Sequence, residues 1–217
     1  SLKEVFSILN EILLKLPNMP HKDVPVGQDD SFNKVIVEKL NKPSFSFKPL
    51  SHDEICKDLI DFEVASNISG ARFVILKSEI AKLERALINF MIELHVEQHD
   101  YTEISAPHIV KSPTLIGTGQ LPKFEKDLFS IGNDKWLIPT AEVTLTNLFR
   151  NKIIVEKKLP LRFVAQSNCF RSEAGAAGKD TKGMIRLHEF KKVELVSLVN
   201  NNQSDDELER LLMCATK

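Results

Sequence analysis

The strongest constraint on the fold lies in residues 170–196, F-R-S-E-A-G-A-A-G-K-D-T-K-G-M-I-R-L-H-E-F-K-K-V-E-L-V. Two stretches with strand alternation flank a connection of about 14 residues, 174–187, where a hairpin needs roughly two to five. A connection of that length, holding Gly175, Gly178, Lys179, Lys182, Gly183 and Arg186, is a candidate functional loop. A side-chain period of two puts Arg171 and Glu173 on one face of the first strand. It puts Phe190, Lys192 and Glu194 on one face of the second, with Val193 and Leu195 pointing away. Charged side chains in register with an apolar sheet need partners or a ligand. The pattern predicts an open sheet with one polar face acting as a binding floor. A surface hairpin with a solvated charged face is the plainer alternative.

Composition limits the partners. At 217 residues the chain can bury a substantial core in one or two domains, and its 42% hydrophobic content is ordinary for a soluble globular protein. The formal net charge is −1, so an anionic partner must be met by a local patch. Residues 171–192 supply one, with six Lys/Arg against three acidic residues. Cys56, Cys169 and Cys214 are far apart and form no C-x-x-C, which argues against a zinc site or a disulfide framework and for a reducing cytoplasm. No apolar run approaches the roughly 18 residues of a membrane span, and no signal-peptide pattern opens the chain. A cytoplasmic protein without membrane contact is expected.

Along the chain, Leu2, Val5, Phe6, Leu9, Ile12, Leu13 and Leu16 have helical spacing, and a helix that short needs a partner. Pro17, Pro20, Pro25 and Gly27 then break regularity. S-H-D-E at 51–54 has capping-box spacing and predicts a helix to about Glu63. The longest helix is expected over 78–99, with Ile80, Leu83, Leu87, Met91 and Leu94 in a stripe, followed by a strand over 101–105. Strands over 128–131 and 135–138 flank G-N-D, and 162–170 reads as a strand. A second capping box, S-D-D-E at 204–207, predicts a helix carrying Leu208, Leu211, Leu212 and Ala215. Mostly hairpin-connected strands with segregated helices predict α+β with an antiparallel sheet flanked by helices. No G-x-G-x-x-G follows a strand and no P-loop is present, so a nucleotide would have to bind on the sheet.

Residues 170–196 closely resemble motif 2 of class II aminoacyl-tRNA synthetases, in detail that of the seryl-tRNA synthetases. Two more blocks agree in order: T-G-Q-L-P-K-F-E-K-D-L-F at 118–129 and L-I-P-T-A-E-V-T-L-T-N-L at 137–148. The resemblance runs from about Pro17 onward. It implies that residues 1–27 are the end of a tRNA-binding coiled-coil arm plus a linker. Residues 28–217 would be the N-terminal part of a class II catalytic domain, with motifs 1 and 2. The helix over 78–99 and the strand after it resemble motif 1, which implies a homodimer; a plain core helix fits the stripe equally well.

The implied reaction is activation of L-serine by ATP, with Mg²⁺, to seryl-adenylate, then transfer to the 3′ end of tRNA(Ser), with tRNA(Sec) a second acceptor. By resemblance Arg171 is catalytic. ATP would be bound by Arg171, Ser172, Glu173, Leu187, His188, Glu189 and Phe190, with Glu173 on the adenine amino group and Phe190 stacked on the ring. Serine would be bound by Thr140, Ala141, Glu142, Arg171 and Glu194, with Glu142 on the ammonium and Glu194 on the hydroxyl. Lys179, Lys182 and Arg186 would meet the tRNA acceptor end. For Phe190 the rival reading is core packing, and for Glu142 a solvated carboxylate at a helix start. The 118–125 block is chemically mute, a mobile element near the site or a plain turn. Neither motif 3 nor the acidic–serine stretch before it occurs by Lys217, so these residues alone are expected to form adenylate weakly or not at all. Two rivals stand beside this reading: a non-catalytic paralogue that dimerises or binds RNA, and a ligase that charges a carrier protein. The missing cysteine ligands and the arm stump count against the second.

Overall fold

The computed structural model describes residues 1–38, 43–174 and 185–217. They form two compact units, Ser1–Ser51 and His52–Lys217, so the boundary expected after residue 27 falls inside the first unit. The first unit holds α1 (Leu2–Leu13), whose Ser1 and Glu4 form a capping box at its start. The second unit holds, in order, α2 (His52–Ile55), β1 (Ile60–Asp61), α3 (Phe62–Ser69), β2 (Ile75–Leu76) and α4 (Ser78–His99). There follow β3 (Thr102–Glu103), β4 (Ile109–Lys111), α5 (Ser112–Gly117), β5 (Ser130–Gly132), β6 (Lys135–Leu137) and α6 (Glu142–Asn147). The chain then continues through β7 (Leu161–Phe170), β8 (Glu189–Leu198) and α7 (Ser204–Ala215).

The central pair is β7 and β8, antiparallel over ten residues each, with Ala165 opposite Glu194, Ser167 opposite Lys192 and Cys169 opposite Phe190. Residues facing each other across a ladder share a face. One face therefore carries Phe163, Ala165 and Val196, which pack with Ala141 and Leu145 beneath α6. The other carries Val164, Val193 and Leu195, which pack with Tyr101, Cys214 and Leu211 of α7. Fully burying side chains such as Val164, Leu145 and Ile138 stabilises the fold by roughly 1.5–3 kcal/mol each. A second sheet, ordered β4-β6-β5, meets this pair where the Phe170 N–H donates to the Ile138 carbonyl at 2.9 Å. That bond brings the residues after β6 alongside the end of β7.

The β5–β6 hairpin and α4 lie where the sequence places them. Asn133 and Asp134 take positive φ (52° and 57°) in the turn, as a two-residue hairpin requires. Three expectations are corrected. The helix expected from Ser51 to about Glu63 is only α2, and a separate α3 starts after Asp61, whose carboxylate accepts from the Val64 N–H at 2.9 Å. Asp61 also takes Lys77 at 2.5 Å, so one carboxylate both caps α3 and ties it to the residue before α4. At α7, Ser204 is already helical and its hydroxyl donates to the Asn201 carbonyl, so it does not act as the N-cap. The strand after α4 shrinks to β3, which pairs with β7 in parallel within an otherwise antiparallel set of described strands.

The middle of the stripe on α4 is exposed, with Phe90 beside it, while Ile80 and Leu94 at its ends are half-buried. Leu83, Leu87, Phe90 and Met91 are 51%, 49%, 60% and 36% accessible in the single chain. The side of α4 toward the sheet carries Glu84, which ion-pairs Lys191 of β8, and the buried His95 and His99. The plain core-helix reading does not hold for Leu83, Leu87 and Met91.

Candidate active site

Arg171 sits one residue beyond β7 and extends its ladder, its N–H donating to the His188 carbonyl at 2.9 Å. It therefore keeps the strand's alternation and shares the face of Lys192 and Glu194. All three line one cleft of about 450 Å³, together with Gln120, Phe124, Asp127, Leu128, Pro139, Thr140, Glu142, Glu173 and Arg186. The Arg171 guanidinium lies 5.1 Å from the centre of the Phe190 ring, and its Nε donates to the Pro139 carbonyl at 3.3 Å. Its Nη groups have no hydrogen-bond partner among the described residues. A held guanidinium with free N–H groups is suited to a phosphate or carboxylate.

Glu194 sits on the same floor. The Thr140 hydroxyl donates to its Oε1, Lys192 Nζ lies 2.9 Å from the same oxygen, and the Ala141 N–H donates to Oε2 at 2.6 Å. These bonds tie the start of α6 to β8. Ala141 is itself buried and contributes its backbone. The Glu142 carboxylate, by contrast, lines the cleft with no partner among the described residues. Glu173 does not continue the strand. It takes a left-handed φ of 50°, and its carboxylate meets Arg186 at 2.8 Å, so both reach the cleft through the turn.

Ser172 anchors the turn by donating its N–H to the Asp127 carbonyl at 2.9 Å and its hydroxyl to the Lys126 carbonyl. His188 accepts this architecture rather than opening onto the cleft: its Nδ1 lies 2.9 Å from the Arg171 carbonyl oxygen, and its ring packs against Phe73 and Phe129. Glu189 accepts from Asn168 at 3.0 Å on the opposite face of the sheet. Leu187, His188, Glu189 and Phe190 are not among the cleft's lining residues. Phe190 forms its floor at one remove, under Arg171. Lys179 and Lys182 lie outside the described residues.

Three lining residues carry more than the sequence reading gave them. Lys192 had register but no role. Gln120 and Phe124 belong to the mute 118–125 block, which forms a wall of the cleft and is clamped to it through Asp127, whose carboxylate accepts from the Ala174 N–H at 3.2 Å. Cys169, opposite Phe190 on the same face of the sheet, is fully buried, and burial pushes its thiol up from its ordinary value.

A cleft on an antiparallel sheet, with an arginine and a glutamate converging from paired strands, is how the core of a class II tRNA synthetase is built, and the chain carries such a core. Residues 123–217 match the family model of the tRNA synthetase class II core domain (G, H, P, S and T). Serine–tRNA ligase of Sinorhizobium fredii is 53% identical over 211 residues, covering 95% of this chain and 49% of the relative. That of Pelagibacter ubique is 51% identical over 216 residues, covering 96% and 52%. Among solved structures, seryl-tRNA synthetase from Pyrococcus horikoshii complexed with ATP superposes with a TM-score of 0.90 at 33% identity, over 97% of this chain and 52% of that one. The chain belongs to the seryl-tRNA synthetase family. It spans about half the length of the curated relatives it matches.

Proposed function

We propose that this chain supplies the motif 1 and motif 2 part of a serine–tRNA ligase. In that reaction a serine carboxylate oxygen attacks the α-phosphorus of ATP. The new O–P bond forms as pyrophosphate leaves, and the acyl group then passes to a hydroxyl of the terminal ribose of tRNA(Ser) with release of AMP. The observation that carries the reading is the convergence of Arg171, Glu194, Thr140 and Glu142 on one cleft. The Nη groups of Arg171, which no described residue bonds, would bridge the carboxylate and the α-phosphate, where charge collects. Glu142, without a side-chain partner among the described residues, would take the serine ammonium, and Glu194 would accept from its hydroxyl. Ser172 and Glu173 would lie at the adenine end with Phe190 and the backbone of 187–189. Arg186, with Lys179 and Lys182, would face the tRNA acceptor end.

The described residues contain no group of three or more His, Cys, Asp or Glu placed to hold an ion. Mg²⁺ would instead arrive on the nucleotide's phosphates with water. The apolar outer face of α4 supports a homodimer. No described helix is long and apolar enough to cross a membrane, and a cytoplasmic location fits the proposed reaction. The test is serine-dependent ATP–pyrophosphate exchange, with threonine as control, on this chain and on the longest polypeptide its gene encodes. Exchange with serine and not threonine is expected from the longer polypeptide. No exchange from it would overturn the reading in favour of a non-catalytic paralogue.

A further inference from the structure

Lys192 has no role in the reaction as described, yet it stands at the centre of the cleft's polar network. Its Nζ lies 2.9 Å from Glu194 Oε1 and 3.2 Å from Thr140 Oγ1. A carboxylate oxygen offers two lone-pair sites. Both sites of Oε1 are taken, by Lys192 and by the Thr140 hydroxyl. Oε2 has one taken, by the Ala141 N–H, and one left. The single proton of Thr140 is used on Glu194, and its oxygen accepts from Lys192, so Thr140 has little left for a ligand. Among the described residues, then, Glu194 has a cation beside it and one acceptor site left, while the Glu142 carboxylate has no partner.

We propose that Lys192 is a positioning residue for amino-acid selection: it fixes Glu194 so that a single Oε2 site reads the substrate hydroxyl, and it offsets the charge of Glu194 so that the substrate ammonium goes to Glu142. The proposal rests on the serine-activation reading. Without the ammonium of Lys192, Glu194 would compete with Glu142 for the substrate's cation through stronger Coulomb attraction. The hydroxyl would lose its dedicated acceptor. A site built to bond a hydroxyl rejects the analogue lacking one far better than shape alone can. Alanine is that analogue of serine.

The experiment measures ATP–pyrophosphate exchange with serine and with alanine for the longest encoded polypeptide, as wild type, Lys192→Met and Lys192→Arg. Lys192→Met is expected to raise KM for serine and to lower the serine-over-alanine ratio of kcat/KM by about 10-fold or more, while KM for ATP stays within about 2-fold. Lys192→Arg, which restores the charge, should recover part of the ratio. An unchanged ratio in Lys192→Met, or KM values for serine and ATP that rise together, would overturn the proposal. A thermal-melting cycle on ligand-free protein with Lys192→Met, Glu194→Gln and the double variant reads the pairing itself. The losses in Tm should be less than additive, and additive losses would overturn the pairing. If the wild type shows no serine-dependent exchange, the activation reading fails, and the melting cycle still decides whether Lys192 holds Glu194.

Discussion

Arg171 is held on two sides before any substrate arrives. The Phe190 ring lies under its guanidinium and the Pro139 carbonyl takes its Nε, which leaves the Nη pair aimed into the cleft. Cation–ring contact of this kind contributes roughly 0.5–1 kcal/mol when exposed and about 2 when desolvated. Its larger effect is to reduce the reorganisation needed when phosphate charge develops. Lysine would keep the charge and lose the planar fork and the stacking. In the longest polypeptide the gene encodes, Arg171→Lys should therefore slow serine-dependent ATP–pyrophosphate exchange by about 100-fold or more, with little change in Tm; near-normal exchange would remove Arg171 from the reaction. At this scale the sequence was legible wherever side-chain parity alone decides. Arg171, Lys192 and Glu194 fall on one face because β7 and β8 pair without a bulge. Glu173 was not legible as a strand residue, since a left-handed turn begins there. The role of Lys192 was hidden because its partner Thr140 is 52 positions away in sequence.

At the scale of elements, α7 is fastened to the sheet by a buried ion pair. The Arg162 guanidinium grips Glu207 in a fork of 2.7 and 2.8 Å, and Arg210 lies 5.3 Å over the Tyr101 ring. The S-D-D-E spacing announced this helix, but its glutamate is used for docking and its serine is not the cap. Periodicity finds helices well, whereas a cap depends on where the preceding turn delivers the backbone. The Arg162 hydrogen bonds hold the Glu207 carboxyl below its ordinary value of 4.5. That stabilisation is full above about pH 4.5 and is lost as pH falls through the lowered folded value. Glu207→Ala should cost about 3 kcal/mol in urea unfolding, because it strands a largely buried guanidinium. A loss under about 1 kcal/mol would mean that exposed Asp100 already compensates Arg162.

Near the other end of that contact, His95 and His99 meet at 2.9 Å between their Nδ1 atoms, so one donates and the other accepts. Burial lowers both from the ordinary 6.5, assisted at His95 by His99 and at His99 by Lys217 and Arg210. A lowered histidine gives stability that is full above about pH 6.5 and declines as pH drops toward the folded values, because the unfolded chain takes up protons first. The Tm should therefore fall between pH 7.5 and pH 5.5, and it should fall less in His95→Gln. An equal fall in both proteins would assign the acid limb to other groups.

At the scale of the whole molecule, α4 connects an apolar surface to the chemistry. Its outer face exposes Leu83, Leu87, Phe90 and Met91, and its inner face ion-pairs Glu84 with Lys191, the neighbour of Lys192 on β8. Monomeric proteins rarely present a contiguous apolar stripe of this kind without a use for it. A self-complementary stripe on a 22-residue helix suits a two-fold interface, in which the same patch meets itself. Spacing alone offers no choice between core and interface, because both require the same periodicity; only the direction in which α4 turns its stripe separates them. Wild-type protein should sediment at twice the mass of one 24.6 kDa chain. Leu87→Glu should shift it to a monomer, since a desolvated charge with no partner across an interface is costly. Its circular dichroism should be unchanged, because Leu87 is exposed in the single chain. A wild type that remains monomeric at micromolar concentration, or a Leu87→Glu variant that dimerises as before, would dissociate α4 from any interface. In the longest polypeptide the gene encodes, exchange activity should fall with the dimer, because α4 braces β8 through Glu84 and Lys191 and loses its own support when the interface opens.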